Sequence, residues 1–290
     1  MLFDWLFKPR YTAAQEVPEP MTNEIHDHEL SYAIKKPTPN RSGFITPKFI
    51  VMHYTAGSTA ESAIRTFESS ASRVSAHLTI AKDGTVYQHA PFNVKTWHAG
   101  PSRHMGYSGL NSHAVGIEIV NEGWLLDEGS VWARRNSSGR IVASVPKGSA
   151  GVVARHPRVG GKEYFWPAYT REQLDAVEAI TEDLIEEYNI LDIVTHEEID
   201  TRGWKTDPGP AFPMEQFKRL LFANPHRDLD VDRFEVTASS LNMRTGPGTE
   251  FAVAGSLGRG EIVSVEDEHG SWRRVDSDHW VHGAYLRRVS

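Results

Sequence analysis

Two histidines and an aspartate stand where separate segments of this chain could deliver them to one metal ion. His53 ends the apolar run Phe49-Ile50-Val51-Met52, and His196 ends Ile193-Val194-Thr195. Asp207 sits in the loop Lys205-Thr206-Asp207-Pro208-Gly209-Pro210. A buried strand ending in histidine hands its imidazole to the sheet edge. Two imidazoles and one carboxylate leave a fourth zinc position open for water, as catalytic rather than structural sites do. Lys205 precedes Asp207 by two residues, so an extended segment points both side chains the same way and sets a cation beside the metal. Glu118 lies inside the apolar run Ala114-Val115-Gly116-Ile117-Glu118-Ile119-Val120. It reads either as a strand residue facing solvent or as a buried general base, since an unpaired buried carboxylate is costly. The pattern predicts a hydrolase.

Spacing alone is a weak argument, because 143 residues separate His53 from His196 and any single one of the fourteen histidines is usually a packed or surface residue. His196-Glu197-Glu198 also lacks the second histidine of the helical zincin motif. The ligands therefore need a fold to assemble them. The chain has 290 residues, 39% hydrophobic, enough for one large core and a small second one. Its net charge of −7 is spread along the sequence without a basic stripe, which argues against nucleic acid. No apolar run is long enough for a membrane span. Cysteine is absent, which removes disulfides, thiolate metal sites and thiol nucleophiles. Met1 to Arg10 carries an acid, and its basic residues follow the apolar stretch, so it reads as a tail or docking segment and not as a secretory signal.

Residues 1–45, rich in Pro, Glu and Thr, read as a leader draped on the surface or mobile. Residues 46–226 alternate strand and helix signals. Strands are expected at Phe49–Tyr54, Ala76–Ile80, Thr85–Gln88, Ala114–Val120 and Ile193–His196, with Asp83-Gly84 marking a hairpin. Ser58-Thr59-Ala60-Glu61 reads as a capping box, and Thr170-Arg171-Glu172-Gln173 caps a long amphipathic helix. A last helix is expected near Met214–Phe222. These signals imply an α/β domain with a central mixed sheet flanked by helices. Residues 127–169 read as a flap or extra hairpin near the site. Residues 233–290 show short alternating strands and Gly-rich turns, the pattern of a small all-β barrel.

His53-Tyr54-Thr55-Ala56-Gly57, Ser75-Ala76-His77, Asp83-Gly84-Thr85-Val86, Trp97-His98-Ala99-Gly100, Val115-Gly116-Ile117-Glu118 and Lys205 to Pro210 follow in an order that resembles the type-2 zinc N-acetylmuramoyl-L-alanine amidases. These are relatives of peptidoglycan recognition proteins and phage amidases. The resemblance covers about residues 45 to 222. It implies zinc held by His53, His196 and Asp207, with Glu118 and Lys205 as the catalytic pair. Many phage and animal members have Tyr and Cys where this chain has Ala76 and Asp207, which assigns it to the branch using Glu and Lys. The implied activity is hydrolysis of the amide joining the lactyl group of N-acetylmuramic acid to L-alanine in peptidoglycan. Tyr54, His77, Trp97, His98, Pro208 and Gly209 are the expected substrate contacts, with His77 equally readable as structural. Leu241 to Gly248, Gly270-Ser271-Trp272 and Trp280-Val281 resemble a bacterial SH3-type domain, implying a wall-binding module that raises local enzyme concentration. The expected partners are peptidoglycan or muropeptides, and a monomer is expected. The resemblance and the absent signal together imply cytoplasmic synthesis and action on the wall after release or delivery, as for a lysin. The rival readings are a cytoplasmic amidase of muropeptide recycling and a recognition protein that binds without cutting.

Overall fold

The computed structural model describes residues 24–223, 233–265, 267–276 and 279–289. The tail at Met1–Arg10 and the Asn224-Pro225 boundary lie outside them. Six strands form the central sheet, in the spatial order Asp192–Thr195, Phe49–Tyr54, Ala114–Ile119, Leu78–Ile80, Val86–Gln88 and Ile34–Lys35. The first four run parallel, and Leu78–Ile80 pairs antiparallel with Val86–Gln88 across the expected Asp83-Gly84 turn. The sheet is mixed, as the alternating signals require.

Alternation along the two central strands separates a core face from a functional face. Ile50, Met52, Val115, Ile117 and Ile119 join Val177, Ile180 and Leu184 of the helix Arg171–Glu187 in the largest core cluster. His53, Gly116 and Glu118 take the opposite face, since His53 pairs with Glu118 and Val51 with Gly116. Helix α1 spans Ala60–Glu68 and α2 spans Arg171–Glu187. The expected capping box at α2 is present, with Thr170 and Gln173 bonding reciprocally. At α1 the cap is Thr59, one residue later than the Ser58 box implies, and its hydroxyl accepts from the Ser62 N–H. A single turn α3, His196–Ile199, and helix α4, Met214–Ala223, complete the α-helices among the described residues.

The leader expected over residues 1–45 is corrected for its described part. Ile34–Lys35 is the edge strand of the main sheet, and Arg41–Phe44 pairs with Val94–Thr96. Leu30, Thr38 and Asn40 are buried, and Asn40 Nδ2 donates to carbonyls of Phe67, Ser69 and Val74. Turn-rich composition hid this segment because its strands are only two to four residues long.

The 127–169 segment is two sheets. Leu126–Asp127, Val131–Arg135 and Ile141–Pro146 form a meander, and Gly151–Arg155 pairs with Glu163–Pro167. Trp132 stacks on Phe165 at 4.9 Å, joining meander to hairpin. The C-terminal region is all β, in sheets of three and five strands around Val236, Leu241, Met243, Leu257, Val263, Val275 and Val281. Among the described residues no helix is long and apolar enough to cross a membrane.

Helix α2 carries one electrostatic flaw. Asp183 is pushed up to about 6 by burial, and the carboxylates of Glu24, Glu186 and Glu182 add to the rise against a hydrogen bond from the Glu24 N–H. A folded-state value raised above 3.8 gives no penalty below about pH 4. The penalty grows as pH rises through 6. Asp183→Asn should therefore stabilise the protein at pH 7.5 and leave it unchanged near pH 3.5. A two-unit shift sets an upper bound of about 3 kcal/mol. Partial solvent contact reduces that to about 1 kcal/mol, or roughly 2–4 °C in melting temperature. Thermal melts of both proteins at the two pH values test it; an equal gain at both rules out the electrostatic cause.

Candidate metal centre and active site

The register that sets His53 beside Glu118 also sets Thr195 beside Met52, so His196 emerges next to His53 at the carboxyl ends of parallel strands. Open α/β sheets bind ligands at such edges. His53 Nδ1 lies 2.9 Å from His196 Nδ1 and 2.9 Å from Asp207 Oδ2, and His196 Nδ1 lies 2.8 Å from the same oxygen. All three residues are buried. Three ligating atoms facing one another in a triangle are more than protons alone can satisfy, and they match the N,N,O donor set of a divalent cation. The residues present fit a metal.

Electrostatics prepares these groups. Burial pushes His53 down to about 4, His196 adds to the fall, and Asp207 opposes it, so the ring is neutral as a ligand must be. Burial alone would raise Asp207, but the His196 and His53 rings in close contact with it hold its carboxyl well below the usual range. It is an anion.

His98 decides which nitrogen of His53 carries the proton. The Ala114 carbonyl can only accept, so His98 Nε2–H donates to it at 3.3 Å. His98 Nδ1 then accepts from His53 Nε2–H at 3.0 Å, which leaves the His53 Nδ1 lone pair facing the other ligands. The His98 ring fits because residue 116 is glycine: a Cβ there would meet it at 2.5 Å. His98 borders the cleft as expected of a substrate contact, but both its ring nitrogens are engaged within the protein, one of them on His53. His98→Ala should weaken metal binding about 10- to 100-fold, as loss of such supports does. Competitive titration with a chromophoric chelator measures it; unchanged affinity would remove His98 from this role.

An open cleft of about 410 Å³ exposes the centre. It is lined by Tyr54, Trp97, Glu118, Trp204 and Lys205 together with His196 and Asp207. Glu118 is half-buried in the cleft wall, where burial pushes its carboxyl well above the usual range, the Asp207 charge adds to this, and Lys205 opposes it. Its Oε2 has no hydrogen-bond partner among the described residues. Tyr54 Oη bonds the Thr206 hydroxyl beside Asp207. Trp97 donates Nε1–H to Ser42 Oγ at 3.2 Å while lining the cleft.

Three other expected contacts are corrected. His77 is fully buried; its Nε2 donates to the Val94 carbonyl, and its Nδ1 accepts from the Gly116 N–H and the Thr96 hydroxyl. Pro208 is buried with its carbonyl accepting from Tyr169 Oη. Gly209 has φ +77°, and a Cβ on it would meet the Trp166 indole at 2.6 Å, so its bareness serves Trp166 and not a substrate. Sequence reasoning missed Asp200, which accepts from the N–H groups of Trp204 and Lys205 and anchors the lysine loop. An aspartate four and five residues ahead of its partners is the only local signal.

Two histidines and a carboxylate converging beside an acid and an amine, at the edge of a mixed sheet, form a site that could hold one metal ion. Comparison with known proteins gives the family. Residues 43–210 match the N-acetylmuramoyl-L-alanine amidase family Amidase_2, and residues 239–287 match the bacterial SH3 domain. The chain belongs to that amidase family. The 1,6-anhydro-N-acetylmuramyl-L-alanine amidase AmpD of Salmonella typhimurium is 29% identical over 158 residues, 54% of this chain and 62% of that protein. The N-acetylmuramoyl-L-alanine amidase AmiD of Escherichia coli is 29% identical over 178 residues, 58% of this chain and 51% of the relative. The chain thus matches less than two thirds of either relative's length. Among solved structures, an AmpD derivative aligns at TM-score 0.48 and 23% identity, over 68% of this chain and 98% of that one.

Proposed function

We propose that this protein hydrolyses the amide between the lactyl group of N-acetylmuramic acid and L-alanine, with zinc held by His53, His196 and Asp207. The observation that carries the reading is the single cleft in which this ligand triangle, a partnerless Glu118 oxygen and Lys205 meet. Family membership and the names of the similar AmpD and AmiD support the choice of bond.

Zinc at this site supplies Lewis acidity and brings the pKa of water toward 7. The protein's own groups do the rest. Glu118 orients the attacking water and accepts its proton. Lys205 donates a hydrogen bond to the carbonyl oxygen as negative charge develops there. Glu118 then returns the proton to the departing alanine nitrogen, which leaves as the amine while the lactyl carbon becomes a carboxylate. Tyr54 and Trp97 offer surfaces for the flanking sugar and peptide.

The SH3 match favours insoluble wall polymer as substrate, whereas the anhydro-muropeptide amidase name of AmpD favours soluble fragments. Mass spectrometry of products from purified sacculi and from anhydro-muropeptides, with native and zinc-stripped protein, separates the readings. Peptides beginning at L-alanine, lost on stripping and restored by zinc, are expected. Cleavage confined to fragments assigns the protein to recycling; binding without cleavage of either overturns the amidase.

A further inference from the structure

The 125–169 insert touches the cleft at both lips. On one side, Arg134 from the strand Val131–Arg135 sends Nη2 to the Ala56 carbonyl at 2.7 Å and Nη1 to the Glu122 carbonyl at 2.8 Å. Ala56 and Gly57 line the cleft, and Ala56 holds a left-handed φ of +54° that a non-glycine residue adopts only under restraint. On the other side, Arg158, just beyond the strand Gly151–Arg155, donates Nη1–H to the Lys205 carbonyl at 3.0 Å. Asp200 Oδ2 accepts the Lys205 N–H at 3.0 Å and lies 4.0 Å from the same guanidinium. Both backbone polar groups of the lysine are therefore pinned by side chains. His156, two residues before Arg158, pairs with Glu197 beside the ligand His196, and the Glu197 N–H donates to the Asp207 carbonyl at 3.2 Å. The Trp132–Phe165 stack and the Leu125–Phe165 bridge join meander and hairpin, so one body reaches both sides.

We propose that the insert is a brace across the cleft, in which Arg134 and Arg158 are positioning residues that fix the backbone of its two lips. Arginine suits the task because its rigid fork serves two acceptors at once, as Arg134 does with two carbonyls. The lysine lip needs restraint: Trp204 in it is 71% exposed and Gly203 lies in the left-handed region. A reacting group displaced by 1 Å can cost about 10²-fold in rate. The brace rests on the amidase reading for its effect on turnover but not for its structural part.

Hydrogen exchange by mass spectrometry, melting temperature, and kcat and KM on a soluble muropeptide should be compared for native protein, Arg158→Gln, Arg158→Lys and Arg134→Gln. Exchange is expected to accelerate over residues 203–207 in Arg158→Gln and over 55–58 in Arg134→Gln, with other peptides unchanged. In Arg158→Gln kcat should fall about tenfold with KM within twofold, and Arg158→Lys should recover part of it. Unaltered exchange at both lips overturns the brace, as does faster exchange with kcat intact. A variant that melts far lower is replaced by its milder Lys form for the same comparison. Native protein that cuts nothing defeats the amidase reading, and the exchange data alone then decide whether the lips are pinned.

Discussion

Glu118→Gln should lose about 10²- to 10⁴-fold in turnover, the range that a positioned acid–base group supplies, while keeping its metal and its fold. Glutamine preserves shape and can still hydrogen-bond water, but it cannot take a proton and give it back. The native carboxyl is well suited to that exchange, because burial and the neighbouring Asp207 charge raise its proton affinity while Lys205 restrains the rise. Nothing structural depends on its free oxygen, since Oε2 has no partner among the described residues. Removing the charge from a half-buried carboxylate with one unpartnered oxygen even relieves a desolvation cost. The expected result is thus an inactive protein at least as stable as the native one. Turnover on a muropeptide, metal content by mass spectrometry and a thermal melt decide it; activity within tenfold of native would exclude Glu118 as the proton carrier.

Asp207→Asn should weaken zinc binding by at least about 10²-fold, beyond the usual cost of losing a support, and activity at limiting zinc should vanish with it. Asparagine keeps the size of the ligand but loses the anion that offsets the ion's charge. The two imidazoles hold that anion firmly, which shows how closely the three groups are matched. The loss should also be visible in stability. Zinc at a thousandfold excess over its dissociation constant adds about 4 kcal/mol to the folded state, roughly 10 °C for a protein of this size. The native protein should show that rise on zinc addition, and Asp207→Asn should show little of it. Equal rises in both would move the metal elsewhere.

Much of this centre could be read in the sequence because strand-ending histidines obey a simple geometry. A period of two along apolar runs puts His53 and Glu118 next to last in their strands, His196 follows directly on its own, and the parallel register brings all three to one sheet edge. The lysine two residues from Asp207 was legible for the same reason. Support was not legible. His98 and His77 sit in similar motifs, yet one bonds His53 and the other the Val94 carbonyl, a difference made by the groups around each ring. Gly209 invited a substrate reading because bare backbone suits close approach, and nothing local announces a tryptophan 43 residues upstream. The arginines of the insert were invisible because their acceptors are backbone carbonyls, which carry no residue identity. The edge strand at Ile34–Lys35 was too short to show a period.

The spacing of the ligands also sets an order of events during folding. His53 and His196 lie 143 positions apart and meet only through the strand Phe49–Tyr54 pairing with Asp192–Thr195. Closing a loop of that size costs chain entropy before any ligand bond repays it. In compact metal motifs a few neighbouring residues can seize an ion and organise the chain around it; here no short fragment holds more than His196 and Asp207. An ion bound at this site should therefore arrive last, at a sheet already built. The fold should then assemble with no ion present, and the bare protein would hold its three candidate ligands ready for a later encounter.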